Sequence, residues 1–189
     1  MIKIFAGFLL CCSTTALMAA DRNDAPALRG SIDAWSGVYA AASIGYDNIS
    51  DNNGLISDYG EGSIYGGVIG YNHQVDENFV VGIEGDYNKY NIAFTKLPSI
   101  SVIDVGSLRG RIGFVVGDAM IYATGGIAYG TTNINLEDFG RVIGVGVDYK
   151  ITDYIFAGIN YQHYSFRNFD NSGIRADLES LRLRVGVQF

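Results

Sequence analysis

The feature that most constrains this chain is a period-two alternation of large apolar residues with small or charged ones, which runs to its final residue. Leu181, Leu183, Val185, Val187 and Phe189 fall on one face of an extended segment, and Arg182, Arg184, Gly186 and Gln188 fall on the other, because successive strand residues point to opposite sides. The pattern returns upstream. Phe79–Tyr90 sets Phe79, Val81, Ile83 and Tyr87 against Gly82, Glu84, Asp86 and Asn88. Val105–Val116 sets Leu108, Ile112 and Phe114 against Ser107, Arg109, Arg111 and Gly113. Arg141–Ile151 sets Ile143, Val145, Val147 and Tyr149 against Gly144, Gly146 and Asp148. Gly37–Tyr46, Ser63–Gln74, Ala119–Gly130 and Ile155–Phe166 carry a weaker version, with Ile121, Ile127, Tyr129, Ile159 and Tyr161 on the apolar side. The chain therefore reads as all-β, with eight antiparallel strands, an even number suited to an up-and-down barrel.

The connections sort into two classes. Val75–Asn78, Gly117-Asp118 and Thr152–Tyr154 are short and hold turn-forming Asp, Asn or Gly. Asp47–Gly62, Asn91–Asp104, Thr131–Gly140 and Arg167–Asp177 are longer. Short turns on one rim and long loops on the other are expected of a barrel that crosses an outer membrane, with periplasmic turns and extracellular loops. The faces point the same way. Eight strands leave a lumen just filled by side chains, which suits the Gly, Ser, Asn and charged set, so the aromatic and aliphatic set is expected to meet lipid. Closure would satisfy every backbone polar group where no water is present.

The first residues fit export. Lys3 precedes a mostly apolar stretch from Ile4 to Leu17, followed by Met18-Ala19-Ala20, the layout of a cleaved secretory signal. That stretch is shorter than the roughly 20 residues of a spanning helix. The expected organisation is a signal peptide over 1–20, a short periplasmic lead-in over 21–34 and a barrel over 35–189. Cleavage would remove Cys11 and Cys12, which excludes disulfides and thiolate metal sites from the mature chain. It would also remove Lys3, so 13 basic residues become 12 against 20 acidic ones and the net charge moves from −7 to −8. Such a chain has no basic footprint for nucleic acid.

The residues expected inside form the main candidate site. Glu84 and Asp86 face Arg109 and Arg111 across adjacent strands, and Asp148, Arg182 and Arg184 join them, with Lys150 as an outlying member. The network reads as an ionic plug or as the gate of a narrow ion path. Loss of Arg109 is expected to destabilise the barrel or open a leak. His163 and Ser165 lie two apart near the outer rim, with Glu179 across the next loop, and could together activate a hydroxyl. Without an oxyanion site around them, an interfacial histidine is the simpler reading. His73 reads as a strand-end residue. Gly66 and Gly125 lie inside strands, where they permit curvature or close packing rather than cradle phosphate. The loop holding Asp47, Asp51, Asp58 and Glu61 is acidic and reads as solvated.

Several stretches together resemble the small outer-membrane proteins of alpha-proteobacteria, within the broader OmpA-like eight-stranded barrels. They are Trp35-Ser36-Gly37-Val38-Tyr39, Gly66-Gly67 through Gly70-Tyr71-Asn72, Val81-Gly82-Ile83-Glu84-Gly85-Asp86, Gly106 through Phe114, Tyr122 through Gly130, and Leu181 through Phe189. Asn160 departs from the acidic residue usual at its position, and the long loops do not match closely. The resemblance implies a non-enzymatic surface protein that supports envelope integrity, uses no cofactor and sits among outer-membrane lipid and lipopolysaccharide. It also implies that Leu181, Leu183, Val185, Val187 and Phe189 form the signal read by the barrel-assembly machinery. A porin-like channel, or a host or haem ligand held by the loops, is the alternative.

Overall fold

In a computed structural model of the chain, the described residues are 34–51, 60–93, 102–132, 137–166 and 176–189. They form eight strands: β1 (Gly37–Asp51), β2 (Gly60–Gln74), β3 (Phe79–Ala93), β4 (Val102–Val116), β5 (Ala119–Thr132), β6 (Glu137–Lys150), β7 (Ile155–Phe166) and β8 (Ala176–Gln188). Each strand pairs antiparallel with the next, and β8 closes on β1. The signal peptide and most of the lead-in, Asp51 apart from its backbone, and the loop residues Asp58 and Glu61 lie outside what is described of side chains.

The alternation places the two residue sets as the sequence predicts. Ile83, Leu108, Ile112, Phe114, Ile127, Ile143, Val145, Leu181, Leu183 and Val185 are exposed on the outside, while Glu84, Arg109, Asp148 and Arg184 are buried inside. A water-soluble barrel with an apolar lumen would show the reverse. All strands exceed the roughly 9–11 residues needed to cross a bilayer at a steep tilt.

The short turns are held by local chemistry. Asp76 Oδ1 accepts from the amides of Asn78 (2.9 Å) and Phe79 (2.7 Å), and Asn78 Nδ2 donates to the Val115 carbonyl at 2.8 Å. Thr152 Oγ1 accepts from the Ile155 amide at 3.0 Å. Gly117 takes φ +61°, which glycine adopts without a Cβ penalty. At the closing seam Gly37 takes φ +128°, and the Phe189 amide donates to the Val38 carbonyl at 2.8 Å. A Cβ on Gly37 would run into the Phe189 carbonyl.

The rim opposite the turns differs from the expectation. The strands continue farther outward, so the four long connections shrink to residues 52–59, 94–101, 133–136 and 167–175. Small and polar residues such as Asp47 and Asn91 do not signal a strand by composition, yet the ladder pairs Asp47 with Gly62 and with Ser180. Backbone pairing with two neighbours overrides the weak local preference.

Candidate functional site

The lumen is layered. At its periplasmic end Trp35, Tyr39, Val68, Val80, Val115, Met120 and Phe156 form an apolar cluster. Trp35 precedes β1 and is 2% exposed. Its ring lies 6.3 Å from Phe156, and its amide donates to Gln74 Oε1 at 3.1 Å. Toward the outer end Ile64, Tyr90, Val105, Ala128, Val142, Tyr164, Phe166 and Leu178 form a second cluster. Charged side chains fill the space between. Inward glycines seat the large rings: a Cβ on Gly70 would meet the Tyr39 ring, and one on Gly186 would meet Phe156.

All seven charged residues expected inside are there and fully enclosed. Glu84 is opposite Arg109 in the β3–β4 ladder. Arg109 Nη2 lies 2.8 Å from both Glu84 Oε1 and Asp86 Oδ2. Its N–H bonds are not aligned with either oxygen, so these are charge contacts rather than directed hydrogen bonds. Arg111 departs from the expected pairing. Its ladder partner on β3 is Gly82, its approach to Glu84 is 3.8 Å, and its close partner is Asp148 on β6. The Tyr122 ring of β5 lies beneath the guanidinium, 3.7 Å from its carbon, and carries it across that strand.

Asp148 is the hub of the periplasmic half. It accepts from Arg111, and from Arg184 through Nε at 2.7 Å and through Nη2. Arg184 Nη1 also reaches Glu84 Oε2 at 3.3 Å, where the Tyr39 hydroxyl donates at 2.6 Å. Asp86 is the second hub. It accepts from the Ser107 hydroxyl at 2.6 Å and from Arg182 Nη1 at 3.3 Å. Arg182 donates onward to Ser180 Oγ (2.7 Å) and to the hydroxyls of Tyr90 (2.7 Å) and Tyr164 (2.9 Å).

Two placements correct the sequence reading. Lys150 stands at the periplasmic rim, donating to the Asp153 carbonyl at 2.8 Å with its ammonium 5.2 Å from the Trp35 ring, and is no part of the network. Asp47 is not in an acidic loop. It points inward from β1, is 1% exposed and lies beside Ser180 and Arg182. With it, the buried charges among the described residues are Asp47, Glu84, Asp86 and Asp148 against Arg109, Arg111, Arg182 and Arg184, a formal balance of zero. Parity along Tyr39, Ala41, Ser43, Gly45 and Asp47 carried that signal.

Outside, His163 and Ser165 share the outward face of β7. His163 Nε2 lies 3.9 Å from Asp177 Oδ1, and Glu179 engages the Tyr161 hydroxyl. No hydrogen bond joins His163 to Ser165 among the described residues. Gly66 lies under the Asn88 side chain, as close packing predicts, whereas Gly125 faces open space.

A closed eight-stranded barrel with lipid-facing hydrophobics and enclosed charges defines an outer-membrane β-barrel protein. Residues 8–189 match the family described as Outer membrane protein beta-barrel domain, and the chain belongs to that family. It is 29% identical over its whole length to the 25 kDa outer-membrane immunogenic protein of Brucella abortus, covering 96% of that protein. It is 28% identical to the 22 kDa outer membrane protein of Rhizobium leguminosarum, over 82% of this chain and 78% of that one. Among solved structures, Neisserial surface protein A superposes with a TM-score of 0.59 at 18% identity, over 82% of this chain and 98% of that one. Ail of Yersinia pestis superposes at 0.51 and 14%, over 82% and 99%. The chain's relatives are thus alpha-proteobacterial outer-membrane proteins, and its fold is that of the small surface barrels.

Proposed function

We propose that this protein is a non-conducting structural barrel that supports outer-membrane integrity and displays its loops at the surface, without enzymatic activity. The observation that carries the reading is the lumen: a charge-balanced ionic layer held between two apolar layers. A pore needs a continuous polar path, whereas this interior interrupts its polar zone at both ends with packed rings. The immunogenic naming of the Brucella relatives supports surface display. His163 approaching Asp177 rather than Ser165 favours an interfacial residue over a nucleophile's base.

Two further parts belong to this proposal. Residues 1–20 direct export and 21–34 lead into the barrel. The outward row Leu181, Leu183, Val185, Val187 and Phe189 is the assembly signal, a continuous apolar row along β8. A deletion strain tests the role: it should become detergent-sensitive and recover on complementation. Unchanged sensitivity would remove the envelope role. A surface ligand such as haem or a host protein would show instead as binding lost on loop exchange with the lumen unchanged.

A further inference from the structure

Arg141 is the outward cation whose surroundings set it apart. Among the described residues, the four other arginines are inside the barrel, and outward Lys89 has an acid, Asp104, opposite it in the ladder, although that carboxylate engages the Tyr87 hydroxyl. Arg141 is exposed on the outside of β6, and its ladder neighbours are Ile127 on β5 and Ser165 on β7, neither of them acidic. No hydrogen bond or ion pair within the described residues engages it. Among the described residues, outward Asp177 lies 3.9 Å from His163 and outward Glu179 engages the Tyr161 hydroxyl.

Its depth is set by the strand. Tyr149, in the same outward row, lies at the periplasmic end of β6. Eight residues at about 3.4 Å each and about 40° of tilt place Arg141 roughly 20 Å higher, near the outer edge of an apolar band about 25 Å tall. Below it the row is Ile143, Val145 and Val147. One step above stands Phe139, 72% exposed, its ring 5.0 Å from that of Tyr129. A guanidinium with no partner among the described residues, at that depth, lies in the phosphate layer of the outer leaflet, where a planar fork takes a phosphate through two hydrogen bonds.

We infer that this outer face of β5–β7 binds a phosphorylated glycolipid of the outer leaflet, such as the lipid A portion of lipopolysaccharide. Arg141 holds the phosphate, with the Ser165 hydroxyl and His163 alongside. The Tyr129–Phe139 ring pair lies at the level of the sugar, and Ile127, Ile143 and Val145 receive the acyl chains. The inference rests on the outer-membrane placement of the barrel, and not on whether the lumen conducts.

Native mass spectrometry of the purified barrel with lipid A tests it. R141Q should retain phosphorylated lipid A about tenfold less than the wild type, and K89Q should match the wild type. Dephosphorylated lipid A should bind the wild type about as poorly as phosphorylated lipid A binds R141Q. Equal retention by R141Q, or of the dephosphorylated lipid, overturns the site; equal retention of phosphatidylglycerol overturns the commitment to a glycolipid. If R141Q fails to fold, a benzophenone amino acid in place of Phe139, with Arg141 intact, decides. Photo-capture of lipid A in cells supports the site, and no capture overturns it.

Discussion

Asp148 accepts from two arginines on different strands, Arg111 of β4 and Arg184 of β8, so its carboxylate ties three strands together through the lumen. Asp148→Asn would leave two enclosed guanidiniums short of charge. Removing one partner of a buried pair costs about 3–5 kcal/mol, so urea unfolding in phospholipid vesicles should show a loss of that order. A change near zero would mean that the charges are not dry. Arg109→Ala should cost at least as much, because its guanidinium lies 2.8 Å from both Glu84 and Asp86 and its loss leaves two enclosed carboxylates a cation short. Gly37→Ala should also weaken the barrel, since the residue holds φ +128° against the Phe189 carbonyl. Its heat-modifiable band should melt at lower temperature than the wild type. At this scale parity showed seven of the eight buried charges, but it missed Asp47, which read as part of a loop, and it counted Lys150, which stands at the rim. It did not show that Arg111 serves Asp148 rather than Glu84. That choice depends on Tyr122, two positions away on a neighbouring strand, and on the absence of a side chain at Gly82.

At the scale of the strand, β8 reports on the whole exterior. Val185 is 58% exposed and lies halfway along the apolar row from Leu181 to Phe189. Val185→Arg should cost about 2–4 kcal/mol if that position is at mid-bilayer, measured by the same vesicle unfolding. An arginine tolerated there without cost would contradict a lipid-facing row. Deleting Phe189 should leave the chain exported but poorly assembled; normal surface exposure and folded mobility would count against an assembly signal. Strand existence and facing were legible because lipid outside and a narrow lumen inside impose opposite demands on alternate residues. Strand length at the outer rim was not legible. Asp47 and Gly62 carry no β preference, and only their pairing with each other, and of Asp47 with Ser180, extends β1 and β2 outward.

For the molecule as a whole, the arrangement of layers supports the proposed function. Trp35 and Phe156 pack the periplasmic mouth, Tyr164 and Phe166 pack the outer half, and the eight buried charges among the described residues sum to zero. On the proposed reading, a charge-balanced core favours no permeant ion, and the apolar layers among the described residues interrupt the polar zone at both ends. Neither layer could be read from the sequence, because Trp35 lies outside the strand pattern and the rings of the outer cluster come from different strands. The most direct measurement is the conductance of the purified barrel in planar bilayers at symmetric salt. The account predicts a flat baseline for the wild type, with discrete openings only when an apolar layer is cut back, as in a Trp35→Ala, Phe156→Ala double variant. Regular, long-lived openings of the wild-type barrel would contradict it.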